Sequence, residues 1–180
     1  PEEVQREREP VDDVVSKIVA VLDDAINSND LLPTYAARRT ELGRINLPIA
    51  LAIKAKVLVL AASPIFNGNQ KFSSFKNSAG VPFMNPVFSQ EKWKVAADAC
   101  KAAITAAHDA GLDFYTFNQK MNSLTVTDTT QLELNLRGQI TENLNNTELV
   151  WGVGRQDVQR LIYYASCPLY ALQIGARPLG

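Results

Sequence analysis

Histidine and cysteine are scarce in this chain: His108 is the only histidine, and Cys100 and Cys167 are the only cysteines. A histidine-based metal site or a Ser-His-Asp arrangement would have to be built around one residue. Two cysteines without a C-x-x-C spacing are too few for a disulfide framework. They read as small buried apolar side chains, with a bond between the two left open. An excess of either charge is also missing, since 18 basic residues face 19 acidic ones and Arg38-Arg39 is the one basic cluster. No positive field is available to draw in a phosphate backbone, so nucleic acid is excluded as a partner. Long apolar runs are absent as well, because Lys54 and Lys56 interrupt the longest. That rules out a spanning helix, which needs roughly 20 uninterrupted apolar residues. The opening PEEVQREREP has neither the basic start nor the apolar core of a signal peptide, so the chain is either cytoplasmic or has lost its targeting segment.

What the chain does have is helical periodicity. Val11, Val14, Val15, Ile18, Leu22, Ala25 and Ile26 recur at three- and four-residue intervals, which predicts an amphipathic helix over about 10–27. Glu7, Glu9, Asp12 and Asp13 lie near its positive end, where acids are favoured. Asn46 is a good N-cap and Leu47-Pro48 puts proline in a first turn, so a second helix is expected over 47–62. Its alanines and branched residues cover almost the whole circumference, the mark of a helix packed between neighbours. Ser63-Pro64 should end it, because a residue before proline disfavours α geometry. A third helix is expected from Ser89, as N-cap, through Trp93, Ala96, Cys100 and Ile104 to Gly111 as C′ residue, with His108 a favourable charge near its C-terminus.

Between the second and third helices, residues 65–88 form a long loop carrying Phe66, Phe72, Phe75, Phe83 and Phe88. Loops of that length in compact domains are commonly functional or held by their own side chains. Beyond Gly111 the composition turns to Asn, Thr and Gln, and the extended candidates are 124–126 and 132–136. Residues 148–153, ELVWGV, alternate like a short strand, 159–165 suit a short helix or strand, and the end reads as irregular. No period of about 34 residues repeats cleanly, so a regular tetratricopeptide array is not supported.

The run LGRINLPIALAIKAKVLVLAASPIFN, residues 42–67, closely resembles the signature helix of the SusD/RagB family through Gly43, Arg44, Ala50, Ala52, Ala55, Val57, Leu60, Ala61, Ala62, Ser63, Pro64, Phe66 and Asn67. The opening helix is similar to a family helix through Arg8, Val14, Val15, Ile18, Leu22, Asp23 and Ala25, and SQEKWKVAADACKAAI and NTELVWGVGR resemble further family segments. Asn46 stands in place of the usual Thr cap, and Leu47-Pro48 in place of a Lys-Gly type pair. The match is strong over about 6–112 and weak beyond.

That resemblance implies a mainly α fold: an irregular tetratricopeptide-like helical-repeat scaffold with long loops and a few short strands. Residues 1–112 would form the helical portion and 113–180 the loop-rich, ligand-facing portion of one incomplete domain. It further implies a surface-exposed, lipid-anchored lipoprotein of the bacterial outer membrane that binds oligosaccharide or polysaccharide and hands it to a SusC-like TonB-dependent transporter. Missing N- and C-terminal segments of the same protein would complete it, and the lipid would be attached through a segment absent from this sequence. No cofactor or metal is implied.

Sugar recognition needs flat apolar surfaces for pyranose CH faces and short polar arms for hydroxyls. The candidates are Trp151, Arg155, Gln156, Tyr163 and Tyr164, with Asn67, Asn69 and Gln70 in the first loop. Trp151 also suits a core position, and adjacent Tyr163 and Tyr164 point in different directions, so at most one faces a ligand. Other readings are a helical-repeat module for protein partners and a receptor for peptides or other nutrients. A glycosidase ranks last, since the sequential acids Asp12-Asp13 and Asp23-Asp24 do not face one another on a helix, and no catalytic residue is assigned. The three helices are expected to pack together with Trp93 and residues 57–60 buried. They should also leave part of the 47–62 helix short of cover, so that the chain alone is not an independent folding unit.

Overall fold

The computed structural model describes residues 8–35, 41, 43–118, 125–141 and 146–152. It is mainly helical: α1 (Val11–Asn27), α2 (Leu47–Ala62), α3 (Gln90–Asp109) and α4 (Asp128–Thr141) follow in order, with a 3-10 turn at Gln70–Phe72. Among the described residues β structure is limited to two isolated bridges, Asn67 with Asn85 and Lys76 with Pro82, and no helix is long and apolar enough to cross a membrane.

The boundaries of α2 follow from local chemistry. Asn46 is extended and its Oδ1 accepts from Ile49 N at 3.0 Å, closing the first turn, while Pro48 occupies a position whose N–H has no helical partner in any case. At the other end Ser63 turns to φ −62°, ψ 154° before Pro64, the extended geometry that proline imposes on its predecessor. The end of α3 is a Schellman motif. Gly111 adopts φ +82°, its N–H donates to His108 O at 2.9 Å, and Leu112 N reaches Ala107 O at 2.9 Å.

α2 lies between α1 and α3 and packs more extensively on α3. Ala50, Ala55, Ala61 and Ala62 of α2 are buried together with Pro48 and Ile49, and so is Ala96 of α3; small side chains of this kind allow helices to pack closely. This arrangement corrects the expectation for Trp93, which is 41% exposed. On α3 Ala96 is buried and Ala99 and Ala103 are half-buried, so the covered positions are small residues while the large indole stays partly in solvent. Residues 57–60 are corrected too: Val57 and Leu58 are half-buried, but Val59 and Leu60 are exposed.

α1 buries no residue completely. Val11, Val15, Val19, Leu22 and Ile26 form its half-buried stripe, whereas Val14, Ile18 and Val21, one position round the helix, are exposed. Charge pins both of its ends. Asp23 Oδ1 receives Lys54 Nζ of α2 at 2.5 Å, and Asp12 Oδ1 receives Lys92 Nζ of α3 at 2.6 Å.

α4 overturns the strand expected at 132–136. Leu132, Leu134 and Leu136 alternate as strand residues do, yet Leu132 and Leu136 are exposed. The positions turned inward are Gln131, Leu134, Asn135 and Gly138, a helical spacing carried mainly by amides and a glycine. Asn135 Oδ1 accepts from Phe117 N at 2.8 Å and Gln131 Nε2 donates to Phe117 O at 2.9 Å. Those side chains bind the extended segment 113–118 in the way a neighbouring strand would. Tyr115 lies over Gly138 so closely that a Cβ there would meet its ring at 2.0 Å. Residues 148–152 are likewise not a strand. Of the extended candidate 124–126, residues 125–126 are irregular and 124 lies outside the described residues, as does 159–165.

Candidate functional site

The amides nominated in the first loop hold the loop itself. Asn67 is 3% exposed; its Nδ2 donates to Ala62 O at 3.3 Å and to Ser89 O at 2.9 Å, and its Oδ1 accepts from Ser89 N at 2.8 Å. The carboxamide joins the end of α2 to the residue that opens α3. Ser89 has the extended conformation of an N-cap, but its side chain makes no capping bond; its backbone is fixed by Asn67. Asn69 Oδ1 accepts from Lys71 N at 3.1 Å and starts the 3-10 turn. Gln70 Nε2 donates to Pro86 O at 2.7 Å across the loop, from an exposed position.

Farther along, the loop closes into a hairpin. Phe83 N donates to Phe75 O at 3.0 Å, Asn77 N to Val81 O at 2.9 Å, and the rings of Phe75 and Phe83 lie 4.7 Å apart and tilted by 46°. Such a pair stabilises beyond its area by about 0.5–1.5 kcal/mol. Phe83 O then accepts from Val11 N at 2.8 Å, seating the loop on the start of α1. Phe72, Phe75, Val87 and Phe88 remain exposed on its outer surface.

Trp151 lies elsewhere. Its Nε1 donates to Gly43 O at 3.1 Å, and 52% of the residue remains exposed. The indole edge is thereby fixed while about half of the residue stays in solvent, which leaves surface for a stacking contact. Gly43 adopts φ +93°, a conformation that costs glycine little and other residues more. Beside it Arg44 Nη1 meets Glu41 Oε2 at 3.3 Å, with the Arg44 side chain 69% exposed. Trp151 is thus anchored ahead of α2, and Asn67, Asn69 and Gln70 beyond its far end. A helix of 16 residues separates the two groups, about 24 Å at 1.5 Å per residue, so they do not converge on one small ligand. Arg155, Gln156, Tyr163 and Tyr164 lie outside the described residues, as does Cys167; Cys100 is a half-buried free thiol on α3.

One concavity has no counterpart among the sequence candidates. A groove of about 330 Å³ opens where α1, α2 and the start of α3 meet, floored by Val15, Leu58, Ala61 and Val95 and bordered by the Asp12–Lys92 ion pair. Its size is at the low end for small-molecule sites. Its two best-placed charges are engaged with each other, so it offers chiefly an apolar surface. Nothing in the local sequence marks it, because its walls come from three helices. Among the described residues no cluster of His, Cys, Asp and Glu could hold a metal ion.

No protein-family model matches this chain, and a search of curated proteins finds no match. Among solved structures it is similar to BT4246 from Bacteroides thetaiotaomicron, with 26% identity over 87% of this chain and a TM-score of 0.69. The selenomethionine form of BT4246 matches over the same share at 26% identity with a TM-score of 0.66. This chain spans 29% of the length of either structure.

Proposed function

We propose that this chain belongs to a SusD/RagB-type glycan-binding protein, one that captures oligosaccharide at the outer-membrane surface and passes it to a TonB-dependent transporter without cleaving it. Two observations support the reading. The residue pattern of 42–67 resembles the family signature, and the fold is similar to BT4246, a protein of the type found in polysaccharide utilisation loci. The irregular helix pairing with a long inserted loop is consistent with a tetratricopeptide-like scaffold. Trp151 is the described residue best placed to take part in binding. A half-exposed indole anchored by its own N–H offers a rigid stacking face, and sugar CH faces stack on such rings.

A helical-repeat module for protein or peptide ligands is the second reading, favoured by the exposed aromatic and aliphatic side chains on the 65–88 loop. Titration calorimetry of the full-length protein against a panel of soluble polysaccharides, their oligosaccharides and mixed peptides separates the two. Saturable heat with at least one glycan and none with peptides is the expected result. Binding of peptides alone would overturn the glycan reading, and release of reducing ends during the titration would overturn its non-catalytic part.

A further inference from the structure

Asn67 and Gly68 form the one Asn-Gly pair in the sequence. Asparagine followed by glycine is chemically the least durable such pair, because glycine has no Cβ to obstruct its own nitrogen as it approaches the preceding carboxamide. We propose that Asn67-Gly68 is a latent self-modification site, silent while the loop junction is closed and converted irreversibly to aspartyl or isoaspartyl when the junction opens.

Both reacting groups are committed in the folded chain. The nucleophile is Gly68 N, whose N–H donates to Asn85 O at 3.1 Å. The electrophile is the side-chain carbonyl carbon of Asn67, whose Nδ2 is held by Ala62 O and Ser89 O and whose Oδ1 is held by Ser89 N. Asn67 is also 3% exposed, which keeps out the base that must remove the Gly68 proton. Gly68 has φ +85°, and a Cβ on it would meet Phe88 Cβ at 2.9 Å, so the turn requires the residue that makes the pair labile.

When the junction opens, Gly68 N attacks the Asn67 side-chain carbon. A C–N bond forms, the carboxamide nitrogen leaves as ammonia, and the Gly68 proton departs with it, giving a five-membered succinimide. Water then adds to either ring carbonyl and breaks one C–N bond, leaving aspartate or, with the main chain routed through the side chain, isoaspartate. Neither product restores the junction. A carboxylate has no N–H for Ala62 O and Ser89 O, and it would place negative charge against two carbonyl oxygens in a buried position. Each opening event that reacts is therefore recorded permanently between α2 and α3.

The test is peptide mapping of the intact protein held in mildly alkaline buffer, with and without urea. Conversion at position 67 is expected to be roughly tenfold or more faster in urea, since closure protects the site by its local opening free energy. Equal rates would overturn the proposal. Asn67→Asp made by mutagenesis is expected to melt roughly 5 °C or more below the parent protein, and an unchanged melt would overturn the claim that the product cannot reclose. Should that variant fail to fold, the urea comparison on the unaltered protein decides alone.

Discussion

Asn67 and Ser89 are joined as two backbone units would be: one carboxamide accepts from Ser89 N at 2.8 Å and donates to Ser89 O at 2.9 Å, across a sequence separation of 22. This two-point bond sets where α3 begins relative to where α2 ends. Replacing Asn67 with Ala leaves the part-buried N–H and carbonyl of Ser89 without that partner. The expected loss is about 1–3 kcal/mol, read as a lower midpoint in urea with an unchanged slope.

Gly138 has no room for a side chain beneath Tyr115. Gly138→Ala is expected to destabilise by about 1–3 kcal/mol through overpacking, despite the better helix propensity of alanine. Pairing it with Tyr115→Ala should recover part of that loss, giving a non-additive double-mutant cycle. Additive effects would show that the two positions do not press on one another.

Ion pairs tie both ends of α1, a helix with a half-buried apolar stripe and no fully buried residue. Each is half-exposed and contributes on the order of 1 kcal/mol at most. Removing one through Asp12→Asn should leave the global melt nearly unchanged while amide exchange in α1 speeds up relative to α2 and α3. Raising the salt concentration should have the same local effect, because such pairs are screened.

Trp151 separates a structural contact from a binding surface. On the proposed function, Trp151→Phe keeps an aromatic face but loses the bond to Gly43 O, and is expected to weaken glycan affinity a few-fold. Trp151→Ala removes the face itself and should cost about 1–3 kcal/mol of binding, the scale of a single stacking aromatic, with a small change in the melt. Full affinity of the Ala variant in calorimetry would remove Trp151 from the site.

The contrast between α2 and α4 explains how much was legible beforehand. The ends of α2 and the close of α3 were readable because Asn46, Ser63-Pro64 and Gly111 act within a few residues of themselves. A cap, a pre-proline restriction and a left-handed glycine need no knowledge of the rest of the fold. α4 is not legible from periodicity because its inward positions are mainly Gln131, Asn135 and Gly138, with Leu134 the apolar side chain among them. Hydrophobic periodicity reports burial only where the covered side chains are apolar, and here half-buried amides bind a neighbouring backbone.

The candidate site divides along the same line. In the sequence Asn67, Asn69 and Gln70 read as polar arms for a ligand, in a loop of a length that is commonly functional or held by its own side chains. That their polar groups bind their own loop was decided by where Ala62, Ser89 and Pro86 came to lie. The sequence by itself determined where the three long helices run and how α2 and α3 stop, since a pre-proline residue and a left-handed glycine act within a turn. Only the tertiary structure decided that Trp93 stays partly exposed, that the groove beside Lys92 exists, and that Trp151 rests on Gly43. Each of these depends on groups far apart in the chain, so which apolar side chains are covered is settled only when the helices meet.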